Sequence, residues 1–263
     1  MYKLSIATSY TNPEERMDPW KEALECYEDL ADEVVRSGEN WPYEFEWDYI
    51  GKVFNESYEK ADGDWVIRMD LDYFFHEKDF KKIRSRLEEN FDKPAVAFPK
   101  MQFFTPDRCT LKTNIVIAYN KKNFPEIKLN GGGDLCLPTM NGKEILPNDV
   151  PIFSDIYLWN YDSMFKTKEV ISSDRARFAR AWFRYFNDWG EAEGENEEIA
   201  FQTWFNMIEK RYKKHKTKID LSMHPKYIQD KIRNLEENQF GFDAFGLKDK
   251  YHKSIYSKFL NRK

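Results

Sequence analysis

The chain has few cysteines, no long hydrophobic run and no large excess of one charge. Three cysteines occur in 263 residues, and none stands in a C-x-x-C pair. This usage argues against a disulfide scaffold or a zinc site and favours a reducing compartment. No apolar run approaches the length of a membrane span, and the apolar run Leu4–Ala7 is too short for the core of a signal peptide. We therefore expect a cytoplasmic protein.

Positive and negative charges are nearly balanced. The chain has 41 basic and 46 acidic residues, with a formal net charge of −5. Proteins that bind nucleic acids usually carry a strongly basic face, so we expect no nucleic-acid partner. Basic residues do cluster at 210–216 and in the C-terminal tail. This basic segment could hold the protein at the inner face of an anionic membrane, although a solvated helix end is the simpler interpretation.

Aromatic residues are abundant, at 17% of the chain. Most of them are expected in the core, and others could line a ligand cleft. The length suits one large domain or one domain with a helical appendage. We predict a main domain at residues 1–224 and a helical extension at 225–263.

The N-terminal third alternates between strand and helix patterns. Apolar runs predict strands at 3–8, 34–37 and 65–71, and helical spacing of apolar residues predicts helices at 20–31 and 49–61. This βαβαβ order favours a mainly parallel sheet with right-handed crossovers. Beyond it we predict helices at 77–91, 175–186, 196–214 and after 225, strands at 95–98 and 114–119, and a loop-rich segment at 120–153.

Two aspartates stand at the end of the third predicted strand. Residues two apart in a strand point the same way, so Asp70 and Asp72 share a face, with Cα atoms about 6.6 Å apart. Ionised carboxylates at that spacing repel each other unless a positive charge lies beside them. Mg²⁺ is commonly bound through one or two carboxylates together with substrate phosphates. The pattern therefore predicts a cation site that also holds a phosphate.

Polar residues follow the other predicted parallel strands as well. Thr8-Ser9-Tyr10 follows the first strand, and Ser37-Gly38-Glu39 follows the second. Ligands of parallel α/β sheets bind beyond the carboxyl ends of the strands. The three segments should therefore meet at one edge of the sheet.

These segments resemble the nucleotide-sugar site of GT-A glycosyltransferases, especially the family 2-like group. The matching parts are Lys3–Tyr10, Glu33–Glu39 and Ala61–Asp72, the last reading A-x-G-D-W-V before the D-x-D. The resemblance implies a GT-A fold of the α/β class, with a mainly parallel central sheet flanked by helices and a helical C-terminal extension. It also implies a UDP- or GDP-linked sugar donor, a Mn²⁺ or Mg²⁺ ion, and a glycan or lipid-linked acceptor.

The resemblance also implies roles for individual residues. It assigns donor binding to the polar side chains that follow the first two strands and to the third strand, namely Thr8, Ser9, Tyr10, Glu39, Arg68 and Asp70. It assigns the metal to Asp70, Asp72 and His224. Arg68 could instead form an ion pair with Asp64 or with one of the two aspartates, and His224 could be a histidine that precedes a helix, next to Pro225.

An inverting transfer needs a base that takes the proton of the acceptor hydroxyl. Family 2-like enzymes use a carboxylate that follows the D-x-D region. Asp134, after a triple glycine, and Asp155 are both candidates. The usual Glu-Asp motif is not readable here, so inversion and retention both stay open.

Other functions fit parts of the same pattern. A haloacid-dehalogenase phosphatase also uses D-x-D, but on its first strand. A sugar nucleotidyltransferase shares the two-acid metal site, but it normally has a glycine-rich basic loop after strand one, which residues 8–18 lack. A non-catalytic carbohydrate-binding or scaffold protein on a GT-A frame is the third alternative.

Overall fold

The computed structural model describes residues 2–39, 41–130, 136–191 and 193–252. The helices are α1 (Trp20–Leu30), α2 (Tyr49–Lys60), α3 (Phe80–Glu89), α4 (Lys168–Phe186), α5 (Glu197–Tyr212), α6 (Lys226–Arg233), α7 (Phe240–Asp243) and α8 (Leu247–His252). The strands are β1 (Leu4–Ser9), β2 (Glu33–Ser37), β3 (Trp65–Met69), β4 (Tyr73–Phe75), β5 (Ala95–Thr105), β6 (Arg108–Asn120), β7 (Lys128–Asn130), β8 (Leu137–Met140), β9 (Lys143–Glu144), β10 (Leu158–Asn160) and β11 (Thr217–Lys218).

The main sheet has the strand order β2-β1-β3-β6-β5-β10-β4, and β11 pairs with β6. Strand β1 is parallel to both β2 and β3. Strand β6 is antiparallel to β3 and to β5, so β5 runs in the same direction as β3, and β10 is parallel to β5. A small second sheet contains β7, β8 and β9. The structure confirms the predicted fold class, an α/β fold with a mainly parallel central sheet flanked by helices.

Side chains that alternate along the central strands build a core on each face of the sheet. On one face, Ile67 of β3 belongs to a cluster that includes residues of α1, α3 and α6. On the other face, the adjacent Val66 packs in a cluster with residues of α2. The helices form because their apolar residues recur at helical spacing, as Ala23, Leu24 and Tyr27 do in α1. The sheet is thus covered on both faces, and its carboxyl edge is left for a ligand.

The structure confirms the predicted elements of the βαβαβ unit, except that β3 ends at Met69, so Asp70 and Asp72 lie in the turn after the strand and not in the strand itself. Elsewhere it extends the prediction. Strands β5 and β6 are longer than expected, and the segment predicted as loop-rich contains β7, β8 and β9. Helix α4 begins at Lys168, seven residues before its predicted start, because the Thr167 side chain accepts a hydrogen bond from the backbone N–H of Val170 and caps the helix.

Two further sequence predictions have partial outcomes. All three cysteines are free and buried. Within the described ranges, no helix is both long and apolar enough to cross a membrane. The basic tail at 253–263 lies outside the described residues, so membrane contact stays a prediction.

Just past the predicted boundary at residue 225, α6 places Tyr227, Ile228 and Ile232 in the main core.

Candidate active-site cleft

The two aspartates of the D-x-D lie directly after β3 and face a cleft. The backbone turns sharply here, since the N–H of Tyr73 donates to the carbonyl of Asp70 at 2.8 Å. The buried Tyr27 hydroxyl lies 2.6 Å from that carbonyl oxygen and 2.9 Å from the carbonyl oxygen of Tyr73. The turn is therefore fixed from below by a helix α1 side chain. Asp70 and Asp72 both line the cleft above it.

The cleft has a volume of about 520 Å³ and lies at the carboxyl ends of the parallel strands. Its polar floor includes Ser9 and Thr11 from the end of β1 and the loop that follows, the two aspartates after β3, and Asp162 after β10. Helices α4 and α5 form the opposite wall. A cavity of this size is in the usual range for a cofactor or substrate of moderate size.

Negative charge is concentrated on this floor. Burial raises the pKa of Asp72 well above its usual value, and the nearby carboxylates of Asp70, Asp162 and Asp18 raise it further, while Lys166 opposes them. Its one hydrogen-bond donor in the described part of the chain is the Asn160 amide, at 2.9 Å. The ionised form of Asp72 is therefore under-compensated, as expected of a carboxylate that would gain from a bound cation.

A buried ion network borders the acidic floor. Lys166 lies 2.9 Å from Asp18 and 3.0 Å from Asp174, and Arg16 lies 3.1 Å from Asp18 and 3.7 Å from Asp174. Burial alone would raise the pKa of Asp174, but Arg16, Lys166 and Arg177 outweigh it and hold that pKa far below its usual value. The network ties the loop after β1 to helix α4 and so joins two sides of the cleft.

Arg68 forms an ion pair below the D-x-D. Its guanidinium lies 3.8 Å from the Asp70 carboxylate and 4.9 Å from the centre of the Phe54 ring, and its side chain is almost fully buried. Burial opposes its charge, but Asp70 outweighs this effect and raises the Arg68 pKa. The alternative partner Asp64 is engaged elsewhere, with Lys122 at 2.9 Å. Of the options left open by the sequence, the structure places Arg68 with Asp70.

The predicted donor loop is divided between two depressions. Ser9 lines the main cleft, and its hydroxyl is 2.6 Å from the hydroxyl of Thr11. Tyr10 and Glu39 line a shallower neighbouring depression instead. Thr8 is fully buried in β1 and reaches neither depression.

Gly38 allows the loops after β1 and β2 to approach each other. Its φ of +87° lies in the left-handed region that favours glycine. A Cβ at this position would come within 2.8 Å of Val53 and 3.2 Å of the Thr11 hydroxyl. The segment Ser37-Gly38-Glu39 therefore lies against the loop after β1, as the sequence predicted.

The structure does not bring His224 to the aspartates. Its ring is fully buried, with Nε2 2.8 Å from the carbonyl oxygen of Pro106 and Nδ1 2.9 Å from the Tyr161 hydroxyl. In the neutral tautomer that fits this network, Nε2 donates to Pro106 and Nδ1 accepts from Tyr161, so no lone pair is left for a metal. We therefore remove His224 from the candidate metal ligands.

Of the two predicted bases, Asp155 lies outside the cleft. Asp155 forms ion pairs with Lys82 and Arg86 of helix α3, and these hold its pKa below its usual value. It is absent from the cleft lining, because the residues before β10 run along the α3 side of the sheet. Asp134 lies outside the described residues, so its role stays a prediction.

Asp162 is one of the cleft carboxylates for which the sequence predicted no role. Gln102 and Ser163 each donate a hydrogen bond to it at 3.0 Å, and the Arg175 guanidinium lies 3.4 Å away. Its φ of 35° is a left-handed conformation, which aspartate tolerates better than most residues. Non-glycine residues held in this way often occur at functional sites. A sequence signal existed, since Asp162 follows Leu158-Trp159-Asn160-Tyr161, a short segment rich in large apolar side chains.

The donor set suits a hard divalent cation only in part. In the described ranges, no group of three or more His, Cys, Asp or Glu side chains is arranged to hold a metal ion. Asp70 and Asp72 nevertheless provide two carboxylates just after one strand, and burial, followed by the neighbouring carboxylates, raises the pKa of Asp72, an effect that a bound cation would oppose. Mg²⁺ often uses one or two carboxylates and completes its shell with water and phosphate oxygens. The pair fits such a substrate-completed site.

Comparisons with known proteins give only distant likenesses. No protein-family model and no curated protein matches the sequence. Among solved structures, the chain is similar to S. aureus TarS residues 1–349 in complex with UDP, at 11% identity and a TM-score of 0.35, covering 99% of this chain and 92% of that one. A longer TarS structure matches at 12% identity and a TM-score of 0.39, covering 98% of this chain and 55% of that one. TarS 1–349 in complex with UDP-GlcNAc matches at 11% identity and a TM-score of 0.33, covering 98% of this chain and 92% of that one.

Proposed function

We propose that the protein is a glycosyltransferase that moves a sugar from a nucleotide-diphosphate donor to a hydroxyl group of a glycan or lipid-linked acceptor. One observation carries the proposal. Two aspartates at the end of β3, one of them with a raised pKa, lie on the floor of a cleft of about 520 Å³ at the carboxyl edge of the sheet. A diphosphate with a cation would supply the positive charge and the ligand oxygens that this floor needs.

We propose that Asp70 and Asp72 hold a Mn²⁺ or Mg²⁺ ion together with the donor diphosphate. Such an ion would neutralise charge on the departing nucleoside diphosphate. Arg68, buried behind Asp70, would hold that carboxylate in place through their ion pair. Asn160 would orient Asp72 through its amide hydrogen bond.

We propose Asp162 as the general base, in place of Asp155. A base must reach the acceptor hydroxyl beside the donor, and Asp162 lines the same cleft as the D-x-D. Gln102, Ser163 and Arg175 contact its carboxylate and would hold it in place in the cleft. In this mechanism the oxygen of the acceptor hydroxyl attacks the anomeric carbon, and the nucleoside diphosphate departs. Asp162 takes the proton of that hydroxyl during the attack.

The nucleotide would extend from the D-x-D towards the loop after β1. Ser9 and Thr11 present hydroxyl groups there, and Gly38 allows the loop after β2 to lie against them. Tyr10 and Glu39, in the neighbouring depression, would contact the outer part of the nucleoside. We propose this direction because it keeps the opposite wall, formed by α4 and α5, free for the acceptor.

A panel of nucleotide sugars tests the proposal. UDP- and GDP-linked sugars are mixed with the protein and Mn²⁺, and thermal stability and release of the nucleoside diphosphate are measured. We expect at least one donor to raise the melting temperature and to be hydrolysed or transferred, with both effects lost in excess chelator. Binding without turnover of any donor would favour the carbohydrate-binding alternative, and turnover only with a sugar phosphate and a nucleoside triphosphate would favour the nucleotidyltransferase. No nucleotide binding at all would contradict the proposal.

A further inference from the structure

Two buried amide side chains lie side by side in the sheet, next to the acidic floor of the cleft. Strand β10 is parallel to β5, and Asn160 is the register partner of Gln102. Side chains of register partners point to the same face of a sheet, and neighbouring strands lie about 4.8 Å apart. Gln102 is 1% exposed and Asn160 is 4% exposed. The pairing of β5 with β10 therefore fixes the position of one amide relative to the other.

Each amide donates a hydrogen bond to a different carboxylate of the proposed site. The Gln102 amide nitrogen lies 3.0 Å from Oδ2 of Asp162, and the Asn160 amide nitrogen lies 2.9 Å from Oδ2 of Asp72. Asp162 follows β10, whereas Asp72 follows β3. Two carboxylates that belong to different loops are thus held by one pair of neighbouring side chains, and their relative placement depends on that pair.

Neutral amides are suited to holding these two carboxylates. A lysine or arginine in their place would neutralise the carboxylate and compete with a bound cation, and an apolar side chain would leave the carboxylate oxygen without this donor. An amide restrains one oxygen and leaves the net charge unchanged. Gln102 contacts Oδ2 of Asp162, whereas Ser163 and Arg175 contact Oδ1. The amide of the sheet therefore fixes the orientation of a carboxylate whose other oxygen is bound from a different side chain set.

We propose that Gln102 and Asn160 are a pair of positioning residues that set the base Asp162 relative to the cation held by Asp72. This inference rests on the proposed glycosyl transfer and adds the residues that align its two reactants. The acceptor oxygen, beside the base, must lie about 3 Å from the anomeric carbon, beside the cation, and an error of about 1 Å can lower the rate about 100-fold. Strands supply such precision better than loops do.

Two variants remove the amides one at a time. Gln102→Met and Asn160→Leu keep side chains of similar size but donate no hydrogen bond. The affinity for Mn²⁺ with UDP or GDP is measured by calorimetry, kcat by release of the nucleoside diphosphate from the panel of nucleotide sugars, and stability by urea unfolding. We expect Gln102→Met to lower kcat about 100-fold and to leave the Mn²⁺ affinity unchanged. Asn160→Leu should weaken the Mn²⁺ affinity about 10- to 100-fold.

Asn120→Leu is the matched control for the loss of a buried amide. Asn120 is fully buried in the same sheet, but it lies beside the start of β3, at the edge away from the cleft, and donates to the carbonyls of Phe91 and Lys93. This variant should lose stability and keep both kcat and the Mn²⁺ affinity. Gln102→Asn is a milder second variant, because it keeps an amide but is one methylene too short to reach Asp162. We expect it to lower kcat as Gln102→Met does.

The division of effects between the two amides decides the result. The positioning roles are overturned if the Gln102 variants keep the normal kcat, if Asn160→Leu binds Mn²⁺ normally, or if both amide variants lose only stability, as Asn120→Leu does. The unmodified protein is measured in the same experiments. If it neither binds a nucleotide nor turns over a donor, the proposed function is contradicted, whereas normal turnover by both amide variants would overturn only the positioning roles.

Discussion

The Asn160 amide donates a hydrogen bond to the Asp72 carboxylate across 2.9 Å. Asn160 is the last residue of β10, and Asp72 follows β3, so residues 88 positions apart meet at one edge of the sheet. Burial raises the pKa of Asp72 most, the nearby carboxylates of Asp70, Asp162 and Asp18 raise it further, and Lys166 opposes them only in part. The protein therefore keeps an under-compensated acid at the centre of its cleft, a cost to stability that points to a role in binding.

Asp72→Asn is expected to remove activity and to stabilise the protein without ligands. The asparagine keeps an acceptor oxygen for Asn160 but removes a buried charge that the neighbouring carboxylates repel. We expect the free energy of unfolding at pH 7 to rise by about 1 kcal/mol, while metal-dependent donor turnover falls below detection. Urea unfolding and nucleoside-diphosphate release measure the two effects.

Asp64→Asn is the matched control, because it should lower stability and keep activity, the opposite of Asp72→Asn. Asp64 precedes β3, and its pKa is lowered because the backbone N–H of Lys3 donates to it and Lys122 lies 2.9 Å away. Its charge stabilises the fold, so its neutralisation should lower the free energy of unfolding and leave donor turnover intact. The interpretation of Asp72 is contradicted if Asp72→Asn destabilises the protein as Asp64→Asn does, or if it turns over donor at the normal rate.

Asp162→Asn is expected to separate chemistry from donor binding. Asparagine tolerates the left-handed backbone of this position, and its amide can still bond to Ser163, so the cleft keeps its shape. Without a base, transfer should fall by a factor of about 100 to 10,000. Binding of nucleotide with Mn²⁺, measured by calorimetry, should change little.

Asp155→Asn serves as the comparison for the base assignment. Asp155 is exposed and bound to α3, so its neutralisation should leave transfer near the normal rate. If Asp155→Asn loses transfer and Asp162→Asn does not, Asp155, one of the two bases predicted from the sequence, is the better assignment. If Asp162→Asn lost nucleotide binding to the same extent as transfer, the result would mean that this residue supports the donor site instead.

Tyr27→Phe tests how the turn of the D-x-D is fixed. The Tyr27 hydroxyl is buried within 3 Å of the carbonyl oxygens of Asp70 and Tyr73, and phenylalanine leaves both without this donor. We expect a loss of about 1 to 2 kcal/mol in the free energy of unfolding and a weaker affinity for Mn²⁺ with nucleotide. A loss of stability with unchanged affinity would show that the turn holds its shape without the hydroxyl.

The N-terminal half of this site could be predicted from the sequence because its signals are local. Strand and helix patterns up to β3 recur within short windows, and the parallel order then places Ser9, Gly38 and Asp70 at one edge. The register of β1 with β2 and β3 needs no information from the rest of the chain. The same reasoning could not tell which of the three neighbouring residues faces the cleft. Ser9 does, whereas Thr8 faces the core and Tyr10 faces the smaller depression.

The second half of the site depends on contacts between distant residues. Strand β10 has three residues and gains its place by pairing between β5 and β4, which no short window reveals. It carries Asn160 to Asp72 and sets Asp162 beside them. The choice of His224 as a metal ligand was wrong for a related reason. Histidine is a common metal ligand, but both ring nitrogens of His224 are hydrogen-bonded to Pro106 and Tyr161, more than 60 residues away in the sequence.

The burial of His224 makes the protein sensitive to mild acid. Its pKa falls to about 4, chiefly because burial disfavours the charged ring, whereas an unfolded histidine titrates near 6.5. Between these values the unfolded chain binds more protons than the folded one, so acidification favours unfolding. From pH 7 to pH 5 this residue should remove about 2 kcal/mol from the free energy of unfolding. His215, also buried with a pKa of about 4, should add a similar loss.

Urea unfolding of the normal protein and of His224→Gln, measured between pH 5 and pH 7, checks this expectation. Glutamine can still bond to Pro106 and Tyr161 but does not titrate, so the variant should be less stable at pH 7 and lose less stability on acidification. The range stays above the pH where most carboxylates titrate, so the histidines dominate the slope. A slope that is the same in both proteins would contradict the assignment, because it would mean that the His224 ring charges equally easily in the folded and unfolded states.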